Sequence, residues 1–154
     1  MAFVEGLAEC YLFAGVPKEV IAPVHDIAEV VSVGAQGVVF NENDEATHVY
    51  LLRSGLVTLS FSFQHQNRTL HVDITPVKAG ELFGWSTLTQ RRRFSAQAVA
   101  EQDSDIIRIP GERLRQLMDR DPRLGYTVMD RLTTLAASRL ASHREQLRLL
   151  LEWA

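Results

Sequence analysis

The stretch from Val30 to Ile109 limits the fold most strongly, because it is a series of short strand-like runs separated by turn residues. Val30-Val31-Ser32-Val33 and Val38-Val39-Phe40 are β-branched runs, and Val49-Tyr50-Leu51-Leu52 follows them. Between Leu56 and Phe63, Val57, Leu59, Phe61 and Phe63 face one way and Thr58, Ser60 and Ser62 the other, the period of a half-buried strand. Ser54-Gly55 reads as a tight hairpin. Gln64 to Arg68 is a polar turn, after which Thr69 to Ile74 alternates again. Phe94 to Ala100 and Asp105 to Ile109 are two later strands. Short strands at this spacing predict an antiparallel barrel or roll.

Helical patterns flank this region. Within 5–30, Leu7, Tyr11, Leu12 and Phe13 are spaced for one buried face. Pro17 stands where a second short helix can start, with Val20, Ile21, Val24 and Ile27 following at helical spacing. From Gly111 the chain is helical again: Glu112 to Met118 is one helix, and Asp121-Pro122 opens another with an N-cap and a first-turn proline. That last helix runs about 30 residues, or about 45 Å. A single domain over 1–154 is expected, with helices in 5–30, a β-roll over 30–110 and helices over 111–152. Its class is α+β, mainly β, and its length suffices for one core.

Met129, Leu132, Ala136, Leu140, His143, Leu147 and Leu150 recur along the last helix in steps of three and four, as in a coiled-coil seam. Its second half has little left to pack against in so small a domain. A parallel homodimer across Met129, Leu132, Ala136, Leu140, Leu147 and Leu150 is therefore expected, flanked by Arg139, Arg144, Glu145 and Arg148. The competing reading, for the first half, is packing on the chain's own barrel.

Composition narrows the function. The net charge of -3 argues against a nucleic-acid surface. The single cysteine, Cys10, allows no intrachain disulfide and suits a reducing compartment. Met1 to Glu9 lack the basic start of a signal peptide, and no apolar run reaches membrane-spanning length. A cytoplasmic protein is expected. No nucleophile elbow or P-loop is present, and His48, His65 and His71 lack the close pairing of a metal-dependent β-roll enzyme. Neither enzymatic activity nor a metal or required cofactor is expected.

The order of parts, together with three motifs, resembles the cyclic nucleotide-binding domain of the Crp/Fnr type. Gly37-Val38-Val39-Phe40-Asn41-Glu42-Asn43-Asp44 is similar to the family's turn, with Asn43 replacing a glycine at a position where Asn tolerates positive φ. His48 to Val57 resembles the strand–turn–strand that follows. Pro76-Val77-Lys78-Ala79-Gly80-Glu81-Leu82-Phe83-Gly84 resembles the approach to the phosphate-binding cassette. The resemblance implies an eight-stranded, jelly-roll-like antiparallel β-roll (a double-stranded β-helix), with short N-terminal helices and a long C-terminal one.

It also implies a ligand-binding set of Gly80, Glu81, Leu82, Phe83, Gly84, Arg92, Arg93, Ser95 and Ala96. Glu81 would accept from a ribose 2′-hydroxyl, backbone N–H groups of a helix starting within 82–88 would bind the phosphate, and Ser95 would donate to it. Where the family carries its phosphate-pairing Arg, this sequence has Phe94. Arg93 reaches the phosphate only through a bulge or re-registered loop, because a one-residue shift reverses the face. Otherwise Arg91-Arg92-Arg93 is a solvated loop. Trp85 either covers a ligand or fills the cavity. A gapless alignment brings Arg139 and Leu140 to the place of the family's purine contacts, without repeating the usual polar pair.

The implied function is a ligand-sensing regulatory domain that binds cAMP or cGMP and signals through the long dimerisation helix. The alternative is a structural or dimerisation module that kept the fold and lost nucleotide binding. Crp/Fnr-type regulators continue into a helix-turn-helix, whereas this sequence ends at Ala154, so no direct DNA contact by this chain is expected.

Overall fold

The computed structural model describes residues 2–153. Its elements in order are α1 (Lys18–Ile27), β1 (Glu29–Val33), β2 (Val38–Phe40), β3 (His48–Ser54), β4 (Val57–His65) and β5 (Arg68–Val77). They continue as β6 (Leu82–Phe83), a 3-10 turn (Trp85–Leu88), β7 (Gln97–Ala100), β8 (Ser104–Pro110), α2 (Gly111–Arg120) and α3 (Pro122–Glu152). The strands form two four-stranded antiparallel sheets, ordered β1-β8-β3-β6 and β2-β7-β4-β5. This is the mainly β, jelly-roll-like architecture expected, with the long helix after it.

The strand patterns follow from which faces are covered. In β3, Val49 and Leu51 face a core shared with the helices, while Tyr50 and Leu52 face the roll interior. Both faces are dry, so the run reads as continuously apolar instead of alternating. At the far end of the β4–β5 hairpin, Phe63 and Leu70 pair across the ladder and lie exposed beyond the roll. That hairpin turns at Gln66 and Asn67, both at positive φ (49° and 62°), as a two-residue primed turn requires.

Two local expectations are corrected. Ser54-Gly55 does not close a hairpin: β3 pairs with β8 and β6, whereas β4 pairs with β5 and β7. The turn instead carries the chain from one sheet to the other. Gly55, at φ 101°, is packed so that a Cβ would lie 2.7 Å from the Asp103 carbonyl oxygen. The segment 5–15 is a series of turns, not a helix, bounded by Gly6 and Gly15 at positive φ. Leu7, Leu12 and Phe13 are nonetheless fully buried. The apolar pattern was satisfied by turns, which bury the same side chains without a continuous helical ladder.

Asp121 caps α3, its carboxylate accepting from the Arg123 N–H at 3.1 Å, with Pro122 in the first turn. Leu124, Val128 and Leu132 pack the first half of α3 onto the helical core. Arg131 fastens it further by donating to the Tyr11 and Ala14 carbonyls at 2.5 and 2.6 Å. Leu132 therefore departs from the expected seam, because it faces the chain's own core. Met129, Ala136, Leu140, Leu147 and Leu150 are exposed.

Candidate functional site

Gly80, at φ 90°, turns the chain into Glu81 and the short strand β6. Leu82 and Phe83 pair with Leu51 and Tyr50, and both are fully buried in the core. Gly84 follows in the left-handed region at φ 66°. A Cβ there would lie 2.7 Å from Tyr50 Cδ2 and 2.9 Å from Phe40 Cε2, so both conformation and contact require glycine. The expected helix within 82–88 is only the four-residue 3-10 turn at Trp85–Leu88. It is too short to build the dipole of a regular helix.

The opposite wall is aromatic. Phe94 is 4 % exposed, and its ring stacks on Phe40 with centroids 3.7 Å apart and planes 12° from parallel. Tyr50 and Phe83 complete the cluster, with centroids 5.4 Å apart. Residues 92–94 are fastened to the preceding turn in a fixed register. Phe94 N–H donates to the Asp44 carbonyl at 3.0 Å, Asn43 N–H to the Phe94 carbonyl at 2.8 Å, and Ala46 N–H to the Arg92 carbonyl at 2.8 Å. Asn43 adopts φ 70°, the conformation for which Asn can replace glycine.

This register turns Phe94 inward and the arginines outward. Arg93 donates to the Asn43 carbonyl at 2.9 Å, and Arg92 lies 3.9 Å from the Glu112 carboxylate. All three arginines of 91–93 are exposed. The strand expected from Phe94 begins only at Gln97, so the one-residue face argument does not apply at 93–96. There the loop, not a ladder, sets which side chain points in.

Of the sequence candidates, Gly84, Ser95 and Ala96 meet at a cavity of about 60 Å³, which Phe40, Phe94 and Trp85 wall and Ser86 and Arg139 also line. Arg92 and Arg93 do not line it. Glu81 faces a separate hollow of about 300 Å³ against α3, with Tyr11, Leu135 and Ser138. Its Oε1 accepts from the Lys78 N–H at 3.0 Å. Glu81 and Ser95, expected to share one ligand, thus line different hollows.

Arg139 stands between them. Its guanidinium carbon lies 4.8 Å over the Trp85 ring, and its buried Nη2 has no hydrogen-bond partner. Burial pulls this guanidinium below its ordinary pKa, and the nearby Glu81 carboxylate acts in the opposite direction. Helix spacing puts Arg139 beside the seam, whereas the gapless alignment puts it at the family's purine contacts. The signal that distinguishes it is a cation on the face of α3 that points back toward the cassette.

The cyclic nucleotide-binding domain model matches residues 30–121. The chain belongs to the cyclic nucleotide-binding domain family. No curated protein sequence matches it. A structure described as a cyclic nucleotide-binding protein from Geobacter metallireducens GS-15 is 27% identical, with a TM-score of 0.75, over 91% of this chain and 99% of that one. The Thermus thermophilus catabolite activator protein is also 27% identical, with a TM-score of 0.72; the alignment covers 91% of this chain and 62% of that one. A cyclic nucleotide-binding domain from Methylobacillus flagellatus KT shares the fold at 21% identity, with a TM-score of 0.78 over 94% of this chain and 79% of that one. These are regulatory domains and not enzymes, and among the described residues no helix is long and apolar enough to cross a membrane.

Proposed function

We propose that this chain is a ligand-sensing regulatory domain, acting as a homodimer, in which the occupant of the cassette pocket sets the position of α3. One observation carries the reading: Arg139, from α3, stacks on Trp85 and lines the cavity beside Ser86 and Ser95. Any occupant of that cavity meets the long helix, as a sensor with a helical output requires. A ligand with different affinities for two helix positions shifts the population between them. The family favours a cyclic nucleotide, cAMP or cGMP, read by Gly80–Gly84, Glu81 and Ser95, and no resident cofactor is needed.

Enclosing a whole nucleotide requires Phe94 and Trp85 to move. The cavity of about 60 Å³ is far below the ~300–1,000 Å³ of a small-molecule site. The dimer would pair along the exposed Met129, Ala136, Leu140, Leu147 and Leu150. Cys10, the single cysteine and a free thiol, suits a reducing, cytoplasmic compartment.

The stack of Phe94 on Phe40 favours a second reading, a dimerisation module whose own aromatics close the pocket. Calorimetric titration with cAMP and cGMP separates the two. Heat accompanied by a thermal shift, both abolished by Glu81→Lys, supports the sensor. Silence in both measurements at millimolar nucleotide sinks cyclic-nucleotide sensing and favours the module.

A further inference from the structure

We propose that Arg139 is the anion-recognition residue of this domain: its guanidinium, reaching in from α3, holds a phosphoryl oxyanion against Ser86 and Ser95. This rests on the sensor reading above and names the group that gives the pocket its charge selectivity. The first argument is electrostatic. An anion in a largely apolar hollow needs a cation beside it. Among the residues lining the cavity, Arg139 is the one cation, while Arg92 and Arg93 are held outside by Glu112 and the Asn43 carbonyl.

The second argument is the unmatched donor. Arg139 Nη2 is buried and donates to nothing among the described residues. An unpaired donor on a buried charged group is costly, and a small shift of the side chain that brings this nitrogen to an oxyanion in the adjoining cavity would remove that cost. The third is geometry. The guanidinium carbon lies 4.8 Å over the Trp85 ring, which keeps the group at the cavity wall, and a planar guanidinium can bind a phosphoryl group through two parallel bonds.

Size sets the class of ligand. The cavity of about 60 Å³ is far smaller than the ~300–1,000 Å³ of a site that encloses a whole small molecule, so as it stands it suits a compact anionic group. The anion is therefore free phosphate, or the cyclic phosphodiester of a nucleotide whose base and sugar lie outside the cavity. In both cases the cation belongs to the output helix, so binding holds α3 directly.

The test uses the full chain with Trp153→Phe, which leaves Trp85 as the one tryptophan of the two. Inorganic phosphate, cAMP and cGMP are each titrated by Trp85 emission and by calorimetry. A saturable signal is expected, weakened at least tenfold by Arg139→Gln, less by Arg139→Lys, and unchanged by Arg93→Gln. The lysine variant keeps the charge without the fork, so it reads the same point should the glutamine variant melt early. Tighter binding of a nucleotide than of phosphate, with both weakened by Arg139→Gln, identifies the phosphodiester as the source; nucleotides that fail to compete with phosphate identify the free anion. Undiminished binding in Arg139→Gln, or binding lost in Arg93→Gln, overturns the role of Arg139 and leaves the sensor reading intact. No saturable signal with any of the three overturns the sensor reading, and this inference with it.

Discussion

The two halves of α3 carry similar apolar spacing in different surroundings. In the first, Leu124, Val128 and Leu132 are buried against the roll and the N-terminal turns, and Arg131 is clamped to the carbonyls of Tyr11 and Ala14. In the second, Leu140, Leu147 and Leu150 are 63%, 57% and 69% exposed. Steps of three and four residues say that one helix face will be covered; they do not say by what. The covering surface here is the chain's own core as far as Leu135 and, through Arg139, Trp85, beyond which the helix runs past it.

The sharpest way to break this contrast is a truncation in each half. Leu124→Ala opens a cavity in a packed core and is expected to cost ~2–5 kcal/mol. Urea unfolding should show a lower midpoint with an unchanged slope. Leu150→Ala, measured below any dimerisation concentration, is expected to stay within ~0.5 kcal/mol of the parent. Equal losses would mean that the second half is covered as the first is.

Next in size is the clamp. Arg131→Ala removes two charge-assisted bonds to backbone carbonyls and a cation over the Tyr11 ring. A loss of ~1–3 kcal/mol is expected. Hydrogen exchange should quicken first at the amides of the 5–15 turns, ahead of the sheets. Exchange that quickens evenly across the roll would show that the clamp holds the whole domain and not this segment alone.

The roll itself was legible because period-two alternation and turn residues are local signals, and α3 because Asp121-Pro122 and a long apolar series are equally local. The pairing of strands was not. Ser54-Gly55 has hairpin chemistry, yet the ladders that decide its role come from β8 and β6 on one side and β5 and β7 on the other. The candidate site was legible only in part, for a related reason. Gly84 and Ser95 could be placed from their motifs, but the inward turn of Phe94 depends on bonds to Asn43 and Asp44 some fifty residues earlier. Arg139 was placed near the ligand by the gapless alignment, but its position over Trp85 depends on the angle at which α3 crosses the cassette, which helix spacing does not encode.

The contrast also predicts assembly. Leu140→Lys combined with Leu147→Lys should leave the thermal midpoint, compared below any dimerisation concentration, within about a degree or two, since both side chains are exposed, while abolishing the proposed dimer at higher concentration. Sedimentation or light scattering reads the second effect. A dimer that persists would move the pairing surface off the second half of α3, and a large fall in midpoint would show that this half packs on something in the monomer.

The smallest effect concerns how the bare half stays helical. Arg148 donates to Glu145 at 2.5 Å and also to Glu152, one turn on each side. The bond from Arg148 holds the Glu145 carboxyl below the usual carboxylate range. A folded-state pKa below the unfolded one means that this contribution is present above the unfolded value, ~4.3 for glutamate. It is lost as pH falls through the folded value. The difference in helical circular dichroism between the parent and Glu145→Gln should therefore be small at pH 6 and vanish once the pH falls below the folded-state value, and added salt should shrink it at pH 6. A difference that persisted at low pH would assign the effect to side-chain packing along the exposed helix and not to the ion pair.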